Sequence, residues 1–377
     1  MTNIHRHEAI QDFLKTSMNQ WVDGHSGRGI EVHLTIGYGP PLLLVMHEFV
    51  PRQADVVAQL QWVQDENGKR TSVTKLSPPL AIKTLNRHEE YKHYEKFLDR
   101  IIENHLDAFE KTYCEDQDDD PFRKDMFRLL CTLFRGLAAN SMDNVLRKDL
   151  SMAFRSILTT DIMLHHVILE ESSKAEVISQ LSCYNDPSSY GSYTSPKVAN
   201  RQLKSFFSSL QKKYYEDLLS RYHGILRSGK GKEKERRWIS SFVIMLALAL
   251  CEEEMQHTRV LRADGDRQRN GGDSAYEFEH AKQDCREIDR AFDFLVKLFH
   301  CKYSRQRRHQ AQIDDWQTKP ESQAERGFVH SLVDLSQSHR MNLLMRKDWN
   351  IPSTIDHSYK SRLVAQFLVG FFGLGGH

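Results

Sequence analysis

Two Glu-x-x-His pairs stand out as groups able to do chemistry: Glu254-Met-Gln-His257 and Glu277-Phe-Glu-His280. A carboxylate and an imidazole three residues apart share a helix face, and di-iron bundles take such a pair from each of two helices. Helices joined through Gly271-Gly272 as an antiparallel hairpin would bring both pairs to one end. Both pairs are expected at polar helix ends beside charged loops, however, whereas iron ligands face the apolar centre of a bundle. A chain with 19 histidines also meets the pattern by chance, as Glu90-Tyr-Lys-His93 shows. The reading is a solvated helix end and no metal.

Other catalytic patterns fail on spacing. His88-Glu-Glu-Tyr-Lys-His93 looks like the zinc-protease HExxH, but its histidines are five apart, about 140° around a helix, and cannot share one ion. No CxxC pair offers a structural zinc site. Asp119-Asp120 runs into Pro121-Phe-Arg123 without the third carboxylate that a helical terpene cyclase needs. Asn185-Asp-Pro-Ser-Ser189 matches half of that enzyme's second metal motif, but Tyr193 stands where glutamate is required. Gly37-Tyr-Gly39 is followed by two prolines, which have no N–H to cradle phosphate, and no GxGxxG or GxxxxGK[ST] occurs. His165-His166 has no placed nucleophile or carboxylate, so one of the pair is a hydrogen-bonded core or groove histidine. No catalytic, cofactor-binding or metal-ligating residue is assigned.

Two basic clusters remain. Residues 227–237 hold six cations (Arg227, Lys230, Lys232, Lys234, Arg236 and Arg237) against two glutamates. Lys302, Arg305, Arg307 and Arg308 follow each other with no acid between them. The plain reading is solvated charge at helix C-termini. The functional reading is a nuclear import signal or a phosphate-contacting patch.

The elements that must position these residues follow from periodicity. The organising stretch is Phe242 to Cys251, where every residue is apolar. A helix with no polar side must be wrapped by other elements, and this run falls short of the roughly 20 apolar residues of a membrane span. Ahead of it, residues 4–23 read as a helix bearing Ile10, Phe13, Leu14, Met18 and Trp21 on one face. Strict alternation from Ile30 to Ile36 predicts a half-buried strand, and Leu42–Phe49 a second. Leu60–Gln64 and Arg70–Leu76 flank Asn67-Gly68, a strong hairpin signal, and Ser77-Pro-Pro79 closes an antiparallel meander of about four strands. Helices are predicted over 86–111, from Pro121 behind the acidic run Glu115–Asp120, over 143–171, and briefly around Val177–Leu181. Ser182–Ser195 is a loop, after which Ser195-Pro196 reads as N-cap and first turn of a long helix. A loop at Arg262–Ser274 and helices over 276–301, 322–348 and 358–374 complete the chain.

Composition fits a globular intracellular protein. Apolar residues make up 40% and charged residues 27%, and the net charge of +1 leaves any electrostatic partner to a local patch. The six cysteines are dispersed, and Cys131, Cys251 and Cys285 fall in apolar helical patterns, which favours reduced thiols. The first residues show no secretory signal, so nucleus or cytoplasm is the expected location.

A likeness then joins the structural motifs. Gly37-Tyr-Gly-Pro-Pro41, Ser77-Pro-Pro-Leu80, Thr194-Ser-Pro-Lys-Val-Ala-Asn-Arg-Gln-Leu203, the Trp238 helix, Tyr303-Ser-Arg305 and Ser361-Arg-Leu-Val-Ala-Gln-Phe367 form one ordered set. That set resembles the helical regulatory region of fungal zinc-cluster (Zn2Cys6) transcription factors and related fungal proteins, over roughly residues 20–370. The six closely spaced cysteines of that family's DNA-binding segment are missing, so none of its DNA-contacting or metal-binding residues carries over. The resemblance implies a regulatory half that pairs with a full-length factor, senses a ligand, or is a remnant.

The expectations are therefore a mainly α fold of about eight to ten helices with a small N-terminal antiparallel β-meander. Residues 1–82 form the N-terminal helix and meander, and 83–377 the helical domain packed with it as one unit. The expected function is a transcription-regulator-like protein without its own DNA-binding domain. It acts through protein partners or a ligand, with no cofactor, no membrane and no sequence-specific nucleic-acid binding alone. The alternative is an all-helical enzyme, terpene-cyclase-like or metal-dependent.

Overall fold

Alternation writes the first sheet. In the computed structural model Ile30, Val32, Leu34 and Ile36 are buried while Glu31 is exposed, and they lie on β1 (Val22–Thr35) or just past its end. β2 (Leu42–Pro51) buries Leu42, Leu44 and Met46 and exposes Leu43 and Val45. The two strands pair antiparallel with Ile30 opposite Met46, Val32 opposite Leu44 and Leu34 opposite Leu42, so one face is apolar throughout. The structure describes residues 22–51, 56–64, 70–82, 87–115, 120–137, 145–182, 195–227, 237–269, 275–307, 323–348 and 360–374. The expected helix over 4–23 lies outside these residues except for its last two positions, which begin β1.

The strands differ from a simple meander in one respect. β3 (Ala58–Gln64) and β4 (Arg70–Leu76) pair antiparallel as a two-stranded sheet of their own. Asn67-Gly68, between them, lies outside the described residues. The second neighbour of β2 is instead β5 (Leu80–Ile82), and β6 (Ile168–Leu169) closes the far edge in the order β5-β2-β1-β6. Ser77-Pro78-Pro79 explains the interruption: two consecutive residues without an N–H cannot continue a ladder. Pro79 still accepts a hydrogen bond from the Phe49 amide at 3.0 Å, and β5 resumes pairing one residue later.

Eleven helices are found among the described residues. The predicted helix over 86–111 divides at His105 into α1 (Arg87–Asn104) and α2 (Leu106–Glu115). α3 (Pro121–Gly136) starts as expected, with Asp120 as N-cap and Pro121 in the first turn. α4 (Val145–Leu164) stops short of the predicted 171. There the Val167 carbonyl accepts from Asn200 Nδ2 at 3.0 Å and Ser195 Oγ at 2.9 Å, so side chains replace helical partners and β6 follows. α5 (Glu171–Ser179) and α6 (Lys197–Arg227) come next. Ser195 is not the capping side chain of α6; Ser77 Oγ accepts the Lys197 amide at 2.7 Å instead. α7 (Trp238–Arg269) runs through much of the predicted loop at 262–274, and Gly271-Gly272 lies outside the described residues. α8 (Ala275–Arg307), α9 (Gln323–Ser338), α10 (Arg340–Arg346) and α11 (Arg362–Phe372) follow, the predicted helix over 322–348 dividing at His339.

Contacts divide the chain into two units that alternate along the sequence. The first comprises Met1–His105 and Asp161–Gln211, and the second Leu106–Thr160 and Lys212–His377. Within the first, the Gln202 side chain acts as an extra strand residue, accepting from the Ile82 amide at 2.7 Å and donating to the Ile82 carbonyl at 2.8 Å. The Gly37-Tyr-Gly-Pro-Pro41 turn needs glycine at 39, where φ is +73° and a Cβ would press on Ile101 at 3.1 Å.

The second unit is built around α7. Every residue from Trp238 to Cys251 is buried, as an all-apolar helix requires, and each larger side chain contributes about 1.5–3 kcal/mol by leaving water. Phe242 is the hub. Its ring lies 5.0 Å from Phe367, 5.2 Å from Phe371, 6.1 Å from Trp238 and 6.3 Å from Phe328. α11 is thereby held against α7 by aromatic contacts along its length. No helix among the described residues is long and apolar enough to cross a membrane.

Candidate functional site

The acids that end the apolar run are not solvated. Glu252, Glu253 and Glu254 are 7%, 0% and 4% exposed, which overturns the expectation of a polar helix end. α7 continues for fifteen residues past Glu254 to Arg269, so these carboxylates sit mid-helix in the second unit and each needs a partner there.

Arg123 supplies the main one. Its Nη1 donates to Glu253 Oε2, its Nη2 to Glu254 Oε1 at 2.8 Å and to the Leu250 carbonyl at 3.3 Å, and its Nε to Tyr113 Oη at 3.2 Å. Glu253 also takes the backbone of the last helix: Ser361 N at 2.9 Å, Leu363 N at 2.8 Å and Val364 N at 3.2 Å. A carboxylate on unsatisfied first-turn amides is the arrangement that a helix dipole favours. Asp120 works on the same junction. It caps α3 through the Arg123 amide at 3.1 Å and accepts from Arg346 and from Ser361 Oγ. Ser361 is the one non-glycine residue with positive φ among the described residues (φ 64°), and it is fully buried. That left-handed backbone costs about 1–2 kcal/mol, offset here by bonds from both its amide and its hydroxyl.

The cluster extends one turn further. Arg362 forks onto Asp289, Nη1 to Oδ2 at 2.7 Å and Nη2 to Oδ1 at 2.6 Å, and Gln256 Nε2 donates to the same carboxylate at 2.7 Å. Lys360 Nζ lies 3.2 Å from Glu254 Oε1. Burial pushes the Glu254 carboxyl up, but Lys360 and Arg123 outweigh it and hold the group down at about 2. Burial raises Glu253, with Arg123 and the α11 amides pulling against it. Burial alone would draw the Arg123 guanidinium down, yet Tyr113, Glu254, Glu253 and Asp120 keep it above its ordinary value.

This arrangement answers the Glu-x-x-His pairs. Glu254 faces two cations, whose charge opposes a metal ion, while His280 is exposed and the Glu277 side chain lies outside the described residues. Among the described residues no group of three or more His, Cys, Asp and Glu is placed to hold a metal. His93 Nε2 sits on the Leu43 carbonyl at 3.1 Å and the His88 side chain lies outside the described residues. The half-motif at Asn185–Ser189 also lies outside them.

A groove of about 530 Å³ on the second unit is lined by Asp107, Glu110, Cys114, Lys124, Arg128 and Arg135, among others. Within it Arg135 pairs with Glu110 at 2.7 Å and with Asp107, while Arg128 pairs with Asp125 at 3.3 Å. Burial pushes the Cys114 thiol up, which is the opposite of an activated nucleophile. In the first unit, Lys204 Nζ donates to the Met163 carbonyl at 2.8 Å and burial lowers its ammonium to about 7 against the attraction of Asp161. Asp161 Oδ2 in turn accepts the Tyr38 hydroxyl at 2.5 Å, which ties the glycine turn to α4.

Of the candidate basic patch, Arg227 is exposed at the end of α6 and Arg237 is half-buried just before α7. Lys302 donates to the Ile225 carbonyl at 2.5 Å and the Leu226 carbonyl at 2.8 Å, capping α6. Lys230, Lys232, Lys234, Arg236 and Arg308 lie outside the described residues, as do the side chains of Arg305 and Arg307, whose backbone belongs to α8. The buried cluster escaped the sequence reading; its only signal was three glutamates abutting an apolar run.

A family model described as KpeA transcription factor matches residues 1–367. No curated protein and no solved structure matches the chain.

Proposed function

The chain belongs to the KpeA transcription factor family, and from that premise we propose that it regulates transcription without reading DNA sequence itself. It acts through protein partners or a ligand, in the nucleus or between nucleus and cytoplasm. The partner of first choice is a full-length factor that carries its own zinc cluster, in keeping with the likeness to the helical regulatory region of such factors. The observation that carries this reading is the family match across nearly the whole length. The chemistry of the chain is consistent with it. The buried charges are spent on holding helices together, and the 377 residues contain no run of closely spaced cysteines. Direct readout needs an element that enters a groove and presents side chains to base edges.

Two measurements test it. Purified protein is incubated with a random-sequence DNA pool at about 150 mM salt, where the Debye length is about 8 Å; no motif is expected to be enriched. The same chain, fused to an unrelated DNA-binding domain, is expected to change expression of a reporter carrying that domain's site. Enrichment of one motif by the protein alone, or a reporter left unchanged, overturns the reading.

A further inference from the structure

α8 buries one face and leaves another bare. Phe278, Cys285, Phe292 and Phe299, each a heptad after the one before, are buried within the second unit together with Tyr303. On the opposite side Ala291, Phe294 and Cys301 are exposed and Leu298 is half-buried. Their spacing of three, four and three residues sets them in one stripe along the helix, the pattern of coiled-coil a and d positions. Phe294 leaves 59% of its surface in water and is the one exposed aromatic among the described side chains. A lone exposed apolar residue needs no explanation, whereas an aromatic inside an ordered stripe does.

The stripe is complementary to itself when run backwards. Ala291 and Cys301 stand equally far on either side of Val296, and so do Phe294 and Leu298. A two-fold axis at the level of Val296 therefore sets Phe294 on Leu298 of a second copy and Ala291 on its Cys301, large against large and small against small. The flanking charges obey the same symmetry. Asp293 and Lys297 are both exposed and pair within one helix at 2.5 Å. About the same axis, Lys297 of each copy comes within about 3 Å of rise of Asp293 of the other, a neutral quartet of two acids and two cations. A parallel pair would instead set Asp293 level with Asp293 and Lys297 level with Lys297.

We propose that the second unit forms a homodimer through the exposed face of α8, the two helices running antiparallel about Val296. The order of sizes and charges selects a second copy over an unrelated helix, because a two-fold interface must offer the same patch from both sides. Phe294 is the apolar anchor near its centre, and Asp293 and Lys297 form the polar rim. The patch is short, so a reversible dimer with a dissociation constant on the order of micromolar is expected. The inference does not depend on the transcription-regulator reading.

The experiment is sedimentation equilibrium of the full chain. Phe294→Glu places a charge in both halves of the contact and should raise the dissociation constant by about 100-fold. Its melting temperature at dilution should match wild type, because Phe294 is already exposed in the single chain. Met341→Glu, at another exposed apolar residue, should dimerise as wild type does. Asp293→Lys should weaken association, and Asp293→Lys/Lys297→Asp should restore it. A short bis-maleimide tests the direction. In an antiparallel pair the two Cys301 thiols are about 15 Å of rise apart, so wild type should not be joined through them. Ala291→Cys sets a thiol opposite each Cys301 and should give a cross-linked dimer, which Ala291→Cys/Cys301→Ala abolishes. A chain that stays monomeric up to about 0.1 mM, equal dissociation constants for wild type and Phe294→Glu, or wild type joined through Cys301 overturns the proposal. None of these outcomes touches the motif-enrichment or reporter results, so the two readings fail separately.

Discussion

Glu253 accepts the amide of Leu363 at 2.8 Å across 110 residues of chain. A carboxylate in the middle of α7 thus serves as the cap of α11, which has no side-chain cap of its own. With Arg123 on one side and three amides on the other, Glu253 joins α3, α7 and α11 within the second unit.

Removing that carboxylate should be costly. Glu253→Ala leaves the Arg123 guanidinium buried beside a void and three helix-start amides without an acceptor. The expected loss is about 3–5 kcal/mol in urea unfolding, the range for breaking one side of a buried pair. Amide exchange at Leu363 and Val364 should rise with it. Glu253→Gln keeps an acceptor and should lose less. A loss under about 1 kcal/mol for the alanine variant would refute the capping role.

This junction also marks where the sequence stops being legible. Phe242–Cys251 announces a buried helix because burial of an all-apolar segment depends on the segment alone. Whether Glu253 and Glu254 are buried depends on Arg123, Lys360 and Ser361, which lie more than a hundred residues away and carry no local mark of pairing; Glu252 depends likewise on the Tyr215 hydroxyl, 37 residues upstream. The same holds for Ser195, whose spacing to Pro196 reads as a cap but whose hydroxyl bonds Val167. The strand alternation at Ile30–Ile36 was readable for the opposite reason, since its two faces are set by period alone. The separation of β3 and β4 from β2 was not, because it rests on where two prolines place the next N–H. The basic clusters were readable as charge; that Lys302 caps α6 depends on carbonyls 76 and 77 residues away and was not.

Acid should weaken the cluster through Glu254. Its folded value of about 2 lies below the ordinary 4.5, so the unfolded chain binds the proton more readily. The stabilisation is fully present above about pH 4.5 and is lost as pH falls toward 2, amounting to on the order of 3 kcal/mol. Glu253, which burial raises, contributes with the opposite sign. The difference between wild type and Glu254→Gln, followed from pH 6 to pH 3, therefore isolates the effect. Parallel curves over that range would show that Lys360 and Arg123 do not hold Glu254 ionised.

Lys204 predicts a slope at the other end of the scale. Burial sets its ammonium at about 7 against an ordinary 10.5, so between these values the unfolded chain carries a proton that the folded one lacks. Stability must then rise with pH across this window, by up to about 1.4 kcal/mol per unit. Lys204→Met gives up the bond to the Met163 carbonyl but no longer buries an ionisable group, and Asp161 keeps the Tyr38 hydroxyl. The variant should be at least as stable as wild type at pH 7 and should lose the rise between pH 7 and 10. Groups common to both proteins cancel in the difference, including Tyr94, whose phenol burial raises further. Urea unfolding at pH 7, 8, 9 and 10 decides the matter. Equal slopes in the two proteins would mean that Lys204 remains charged in the folded first unit, with Asp161 compensating the burial.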